Sequence, residues 1–149
     1  EDWADTTMAL TCKNILIKSA LENESLRTAL LPEEIPATVK GLFNVIPFDN
    51  LSKISDFILS NDNIIDLQKI LESLSKSLNN KQFLVGDSLS IADISLAAQL
   101  SLLKFPTSAG PILSGQGSPE FINNPYLENL FSWRDNLEEL VSKVIDPQI

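Results

Sequence analysis

A serine and an aspartate, Ser90 and Asp93, stand just before an apolar run that extends from Ile94 to Leu103. Their spacing is typical of a capping box: the Ser90 hydroxyl accepts from the backbone N–H of residue 93, and the Asp93 carboxylate accepts from the N–H of residue 90. Leu89 and Ile94 have the spacing of a hydrophobic staple across the same turn. The sequence therefore predicts that a helix begins near Ser90.

The predicted helix is apolar nearly all round, which is typical of a buried central helix, and it ends near Lys104 ahead of Pro106. A second apolar pattern recurs at steps of three and four residues, which predicts an amphipathic helix that ends at Asn79 and Asn80. Its members are Ile64, Leu67, Leu71, Leu74 and Leu78. On the polar face, Glu72 and Lys76 have the spacing of a favourable ion pair.

Helical patterns and turn residues account for most of the remaining chain. Residues 2–30 predict either one long helix or two helices broken near Glu22 and Asn23, stopped by Pro32. We also predict helices over residues 49–59 and 125–144, and a flexible loop over residues 107–119, which are rich in Gly, Ser and Pro. Residues 41–47 fit a strand or a buried loop equally well. The expected fold is an all-α helical bundle, with residues 1–149 as a single domain.

Composition and charge exclude several classes of function. The net charge of −9 disfavours nucleic acids and anionic membranes as partners, because phosphate binding needs clustered Lys and Arg. No stretch is long and apolar enough for a membrane span, and no signal peptide is recognisable. Cys12 is the only cysteine, so an intramolecular disulfide is excluded and a reducing, cytoplasmic location is expected.

The side chains available for catalysis and metal binding are few. The chain has no histidine, which removes the commonest general base and the usual zinc ligand. Ser90 and Asp93 could be taken for a nucleophile and its base, but the capping box explains both residues and the helix behind them. We predict no catalytic residue and no metal site in this chain.

Three further features have simple structural interpretations. Cys12 lies among apolar residues, and we interpret it as a small buried side chain rather than a reactive thiol. The glycines near Ser114 lack the lysine and the strand of a phosphate-binding loop. The acidic clusters lack the calcium-loop pattern, and we interpret them as solvated faces: Glu33 with Glu34, Asp62 with Asp66, and Glu138 with Glu139.

A family resemblance rests on several short segments between Leu67 and Trp133. After the helix that contains Leu67, residues 83–87 read Phe-Leu-Val-Gly-Asp and residues 89–93 read Leu-Ser-Ile-Ala-Asp. A Pro-Tyr-Leu segment at 125–127 is followed by Trp133. Together they resemble the C-terminal helical domain of the glutathione S-transferase family. The chain lacks the thioredoxin-like domain that precedes this domain in the family, and because it starts with Glu1 we expect it to be a fragment of a longer protein.

The resemblance implies an enzyme as one hypothesis of function. The parent would be a cytoplasmic transferase that joins its co-substrate glutathione to apolar electrophiles. The thioredoxin-like domain would bind glutathione, and this domain would supply part of a homodimer interface and a wall of the electrophile pocket. The resemblance places Trp3, Met8 and Cys12 on that wall. Burial in an ordinary core stays open as an alternative, since wall and core look alike in a sequence. This chain alone would be inactive.

A second hypothesis is a non-catalytic module. Similar helical domains occur in translation factors and aminoacyl-tRNA synthetases, where the resemblance implies a role in assembly. The acidic surface would then meet a basic protein partner. A carrier of an apolar small molecule is a third alternative.

Overall fold

The computed structural model describes residues 7–32 and 61–145. Six α-helices lie in these ranges: α1 (Ala9–Glu22), α2 (Glu24–Ala29), α3 (Asn61–Ser77), α4 (Ile91–Leu103), α5 (Pro119–Ile122) and α6 (Glu128–Ile145). The described residues contain no strand, only one antiparallel bridge between Lys104 and Gly117. The predicted all-α fold is therefore confirmed.

The first helical segment is divided in two, as the second of the two sequence-based alternatives proposed. Asn23 adopts an extended backbone between α1 and α2, and its side-chain oxygen accepts a hydrogen bond from the Leu26 N–H at 3.2 Å. Asparagine is a favoured N-cap because its short side chain can satisfy a free N–H at a helix start. The break therefore starts a new helix.

Helix α3 buries the predicted apolar stripe. Ile64, Leu67 and Leu71 are buried, and the helix ends where Asn80 takes a left-handed backbone with φ of 66°. Glu72 does not join Lys76 as predicted; its carboxylate accepts a hydrogen bond from the Asn124 side chain at 2.8 Å. Glu72 is therefore paired with Asn124, which is distant in the sequence, and not with Lys76 on the same helix.

Helix α4 is central, since α1, α6 and its own capping turn all pack against it. It is not buried all round as expected: Ile91 is 61% exposed and Ile94 is 45% exposed. Its buried residues are Asp93, Leu96, Ala97, Leu100 and Leu103. Two neighbouring helices cover only part of a helix surface, so an apolar run does not guarantee complete burial.

Residues 107–119 form a hydrogen-bonded turn rather than an unattached loop. The Phe105 N–H donates to the Gln116 carbonyl at 2.7 Å, and the Ser118 N–H donates to the Leu103 carbonyl at 2.9 Å. A 3-10 helix at Thr107–Ala109 and the start of α5 at Pro119 lie in the same segment. Proline fits the first helical position because its missing N–H would have no partner there.

Arg134 of α6 is fully buried and binds the end of α4. Its guanidinium donates to the carbonyls of Leu100 and Lys104, and it pairs with Asp135 at 2.7 Å. The charge lies at the carboxyl end of α4, where the helix dipole favours a cation. This arginine therefore fixes α6 against α4.

The core joins residues from every described α-helix except α2. Its buried apolar members are Met8, Cys12, Ile15, Ile64, Leu67, Leu71, Leu78, Phe83, Leu96, Ala97, Leu100, Leu103, Phe121, Leu127, Leu130, Phe131, Trp133 and Leu137. Within the described ranges, no helix has the length and apolar character needed to cross a membrane. The predictions for residues 41–47 and 49–59 lie outside the described residues.

Candidate functional site

Two of the three predicted wall residues belong to the core. Met8 and Cys12 are almost completely buried on the first helical segment. Trp3 lies outside the described residues. Since a pocket wall needs at least one accessible atom, the described structure alone gives Met8 and Cys12 a packing role. Their role in an electrophile pocket stays a prediction.

The chemistry of Cys12 follows from this burial. Desolvation raises the pKa of the thiol from 9.0 to about 12, because a thiolate is poorly stabilised in apolar surroundings. At neutral pH the group is a neutral thiol, so it lacks the thiolate that a nucleophile or a metal ligand requires. Among the described residues, no group of acidic or cysteine side chains is arranged to hold a metal ion.

Ser90 and Asp93 form the two halves of a capping box at the start of α4. One carboxylate oxygen of Asp93 accepts from the Ser90 N–H at 2.8 Å and from the Ser90 hydroxyl at 2.6 Å. The other oxygen accepts from the Leu84 N–H at 2.7 Å. The buried carboxylate therefore connects the 83–87 turn to the helix start, and its lone pairs are taken up by structural donors.

An open apolar groove lies between α4 and α6. We call it the α4–α6 groove, and its volume is about 390 Å³. Its residues are Ile94, Ala97, Ala98, Leu137, Val141, Ser108, Glu138 and Ser142. The two alanines on α4 leave room between the helices, while Ile94 stands exposed at one end. The groove can take up one bulky apolar group from another surface.

A carboxylate marks the edge of the groove. Glu138 accepts hydrogen bonds from the Ser108 hydroxyl at 2.7 Å and the Ser101 hydroxyl at 3.3 Å. No cation among the described residues pairs with it, whereas Asp135 pairs with Arg134 and Glu139 with Lys143. These three carboxylates line an adjoining pocket of about 490 Å³. The arrangement holds a negative charge in place beside an apolar surface.

Sequence analysis identified Glu138 only as part of a solvated acidic face, and it missed the α4–α6 groove. The sequence did contain an indication of the groove, because Ile94 and Ala98 have i, i+4 spacing and therefore share one face of an apolar helix. The two serines that orient Glu138 lie 37 and 30 residues away in the chain, and no local pattern connects them.

Comparison with protein families matches residues 47–141 to the family described as glutathione S-transferase, C-terminal domain. The matched range includes the capping box of α4 and most of the α4–α6 groove. Searches of curated proteins and of solved structures returned no significant match.

Proposed function

Because this chain belongs to the family of glutathione S-transferase C-terminal domains, we propose that it is the helical domain of a glutathione transferase-like protein. In this proposal a thioredoxin-like domain binds the co-substrate glutathione and activates its thiol. The helical domain supports that domain and contributes an apolar wall to the electrophile pocket. The protein would work in the cytoplasm, in keeping with its lone, unpaired cysteine.

The observation that carries this proposal is the open α4–α6 groove. Exposed apolar patches of this kind commonly mark an interface with another protein surface. Ile94, Ala98 and Val141 offer an apolar contact, and Glu138 at the edge offers a fixed acceptor for a cation. We propose that the thioredoxin-like domain packs here. Trp3 would face the electrophile, while Met8 and Cys12, which are buried, would support this wall from the core side.

The chain's chemistry is in keeping with this division of labour. It has no histidine, and its one thiol is buried and neutral. Lowering the pKa of the glutathione thiol needs a nearby donor or positive charge. By the family resemblance we assign that task to the thioredoxin-like domain and no catalytic residue to this chain.

The test compares this chain with the product of the complete open reading frame that encodes it. We expect the chain alone to be inactive toward glutathione and chlorodinitrobenzene and to pass through glutathione resin. We expect the complete protein to be active and retained. Ala98→Arg should fill the groove and reduce the activity of the complete protein at least about tenfold, since a lost interface misplaces the reacting groups. Ser73→Arg, exposed on α3, is the matched control.

Two results would contradict the proposal. One is conjugation of glutathione by this chain alone. The other is full activity of the complete Ala98→Arg protein, with circular dichroism showing an intact helical fold in both variants. A reading frame without a thioredoxin-like domain would exclude the transferase and favour the second candidate.

The second candidate is a non-catalytic assembly module, and the position of Glu138 favours it. A carboxylate oriented by two serines and left without a cation among the described residues suits an Arg or Lys on a protein partner. Under this hypothesis Glu138→Gln weakens capture of a basic partner. Under the transferase hypothesis the same substitution mainly lowers the rate of glutathione conjugation by the complete protein.

A further inference from the structure

A small pocket lies between the end of α3 and the last helix, separate from the α4–α6 groove. We call it the Trp133 pocket, and its volume is about 300 Å³. Its walls are Lys81, Gln82, Trp133, Asn136, Leu137 and Leu140. Leu137 forms the partition, since it lines the groove as well. The volume suits a single substituted aromatic ring, because an engineered apolar cavity of about 150 Å³ accommodates benzene.

The indole of Trp133 is held in a fixed orientation. Its N–H donates to the Gln82 carbonyl at 2.9 Å, and the side chain is only 7% exposed. Because the indole N–H already donates to the Gln82 carbonyl, the indole can contact a ligand only through the surface of its carbon atoms. Leu137 and Leu140 extend that surface on α6. One side of the pocket is therefore prearranged for a flat apolar group.

The charge at this pocket differs from that of the protein as a whole. Lys81 follows the left-handed residue Asn80, is exposed, and has no carboxylate partner among the described residues. No Asp or Glu lines the pocket. The amides of Gln82 and Asn136 add hydrogen-bond donors. By contrast, Asp87 lines a second pocket that Lys81 also reaches, and it would repel an anion there.

We propose that the Trp133 pocket binds a small aromatic carboxylate. The ring packs on Trp133 and Leu140, and the carboxylate pairs with the Lys81 ammonium. The protein's net charge of −9 opposes any anion, so binding depends on the local charge of Lys81.

The experiment titrates the full chain with phenylacetate and with its neutral counterpart phenylacetamide. The indole N–H resonance of Trp133 reports binding, and Trp3→Phe identifies it, since the chain has two tryptophans. We expect a saturable shift with phenylacetate and an affinity about two- to fivefold lower for phenylacetamide, the range expected for one exposed ion pair. Leu140→Asp should abolish binding of phenylacetate.

Charge variants decide the role of Lys81. Lys81→Gln should lower the affinity for phenylacetate to that for phenylacetamide. Lys13→Gln, an equally exposed lysine on α1 that does not line the pocket, should change nothing. Equal affinity for the two compounds, or an unchanged affinity in Lys81→Gln, would overturn the assignment. So would the absence of a saturable shift up to about 10 mM phenylacetate, which excludes a dissociation constant in the millimolar range or below.

Discussion

At the scale of single residues, Asp93 is a side chain that provides the acceptor for two backbone N–H groups at once. It is completely buried and accepts from the N–H groups of Leu84 and Ser90 as well as from the Ser90 hydroxyl. The first bond fixes the 83–87 turn and the second fixes the start of α4. A carboxylate can serve both because each oxygen offers two lone pairs.

We expect Asp93→Ala to destabilise the chain by about 3 kcal/mol, because two backbone N–H groups lose an ionised acceptor. Ser90→Ala removes only the hydroxyl and should cost about 1 kcal/mol. Urea unfolding followed by circular dichroism measures both. Equal midpoints for Asp93→Ala and the unmodified chain would contradict the role of this carboxylate.

The buried Cys12 thiol makes the stability of the folded chain depend on pH in the alkaline range. The pKa of the thiol is about 12 in the folded state and 9.0 without burial, so the unfolded chain releases the proton first. The stability that the neutral thiol contributes is fully present below pH 9 and is lost as pH rises toward 12. The expected slope is about 1.4 kcal/mol per pH unit in that window.

The comparison is between the unmodified chain and Cys12→Ala, unfolded in urea at about pH 8 and about pH 10. All other titrating groups are common to both proteins, so the difference between the two pH profiles isolates the thiol. We expect the unmodified chain to lose more stability. Parallel profiles would show that the thiol is not desolvated.

At the scale of elements, the end of α4 is held by both a turn and another helix. The 105–118 turn returns to α4 through backbone hydrogen bonds, and Arg134 binds the last carbonyls of the helix from α6. A helix end leaves carbonyls without intrahelical partners, so these contacts replace bonds that the helix cannot make itself.

Gly117 is the residue in this turn that most restricts substitution. A Cβ atom at this position would lie 2.1 Å from the Leu103 carbonyl oxygen, so Gly117→Ala must move backbone. We expect a loss of at least about 2 kcal/mol, in the range for overpacked sites. Gly115→Ala is the control: its Cβ meets nothing within 4 Å, and its φ of 77° should cost only about 1 kcal/mol. Similar thermal midpoints for the two variants would contradict this close approach.

At the scale of the whole molecule, exposed apolar side chains occur at several places on the described surface, and two of these places can contact another protein surface. One is the α4–α6 groove. The other is on α1, where Leu10 is 59% exposed and Ile17, seven residues later on the same side, is 37% exposed. Spacing of seven residues brings side chains to one helix face. This second face supports the proposed homodimer contact.

We expect the chain to associate with increasing concentration in sedimentation experiments, and Leu10→Glu to suppress that association by placing a charge in the apolar contact. Ser73→Glu, at an exposed position of α3, controls for added negative charge. If Leu10→Glu and the unmodified chain sediment alike at every concentration, α1 does not form the contact.

The sequence by itself determined the local structure and the family. The Ser90–Asp93 capping box and the leucine stripe of α3 each rest on residues within a few helical turns of one another, and the family resemblance combines short segments of this kind. Capping and amphipathic burial are local effects, so their patterns are visible in a sequence. The predicted wall residues could not be decided in this way, because core and pocket require the same apolar side chains.

Only the tertiary structure decided which faces stay open and where charges are held. Glu138 is oriented by Ser108, Arg134 reaches the carbonyl of Leu100, and Trp133 binds Gln82, each pair separated by at least 30 residues. Helix α4 is apolar on every side, yet α1 and α6 cover only part of it. Which part remains exposed depends on how helices distant in the sequence pack together, and this packing creates the groove.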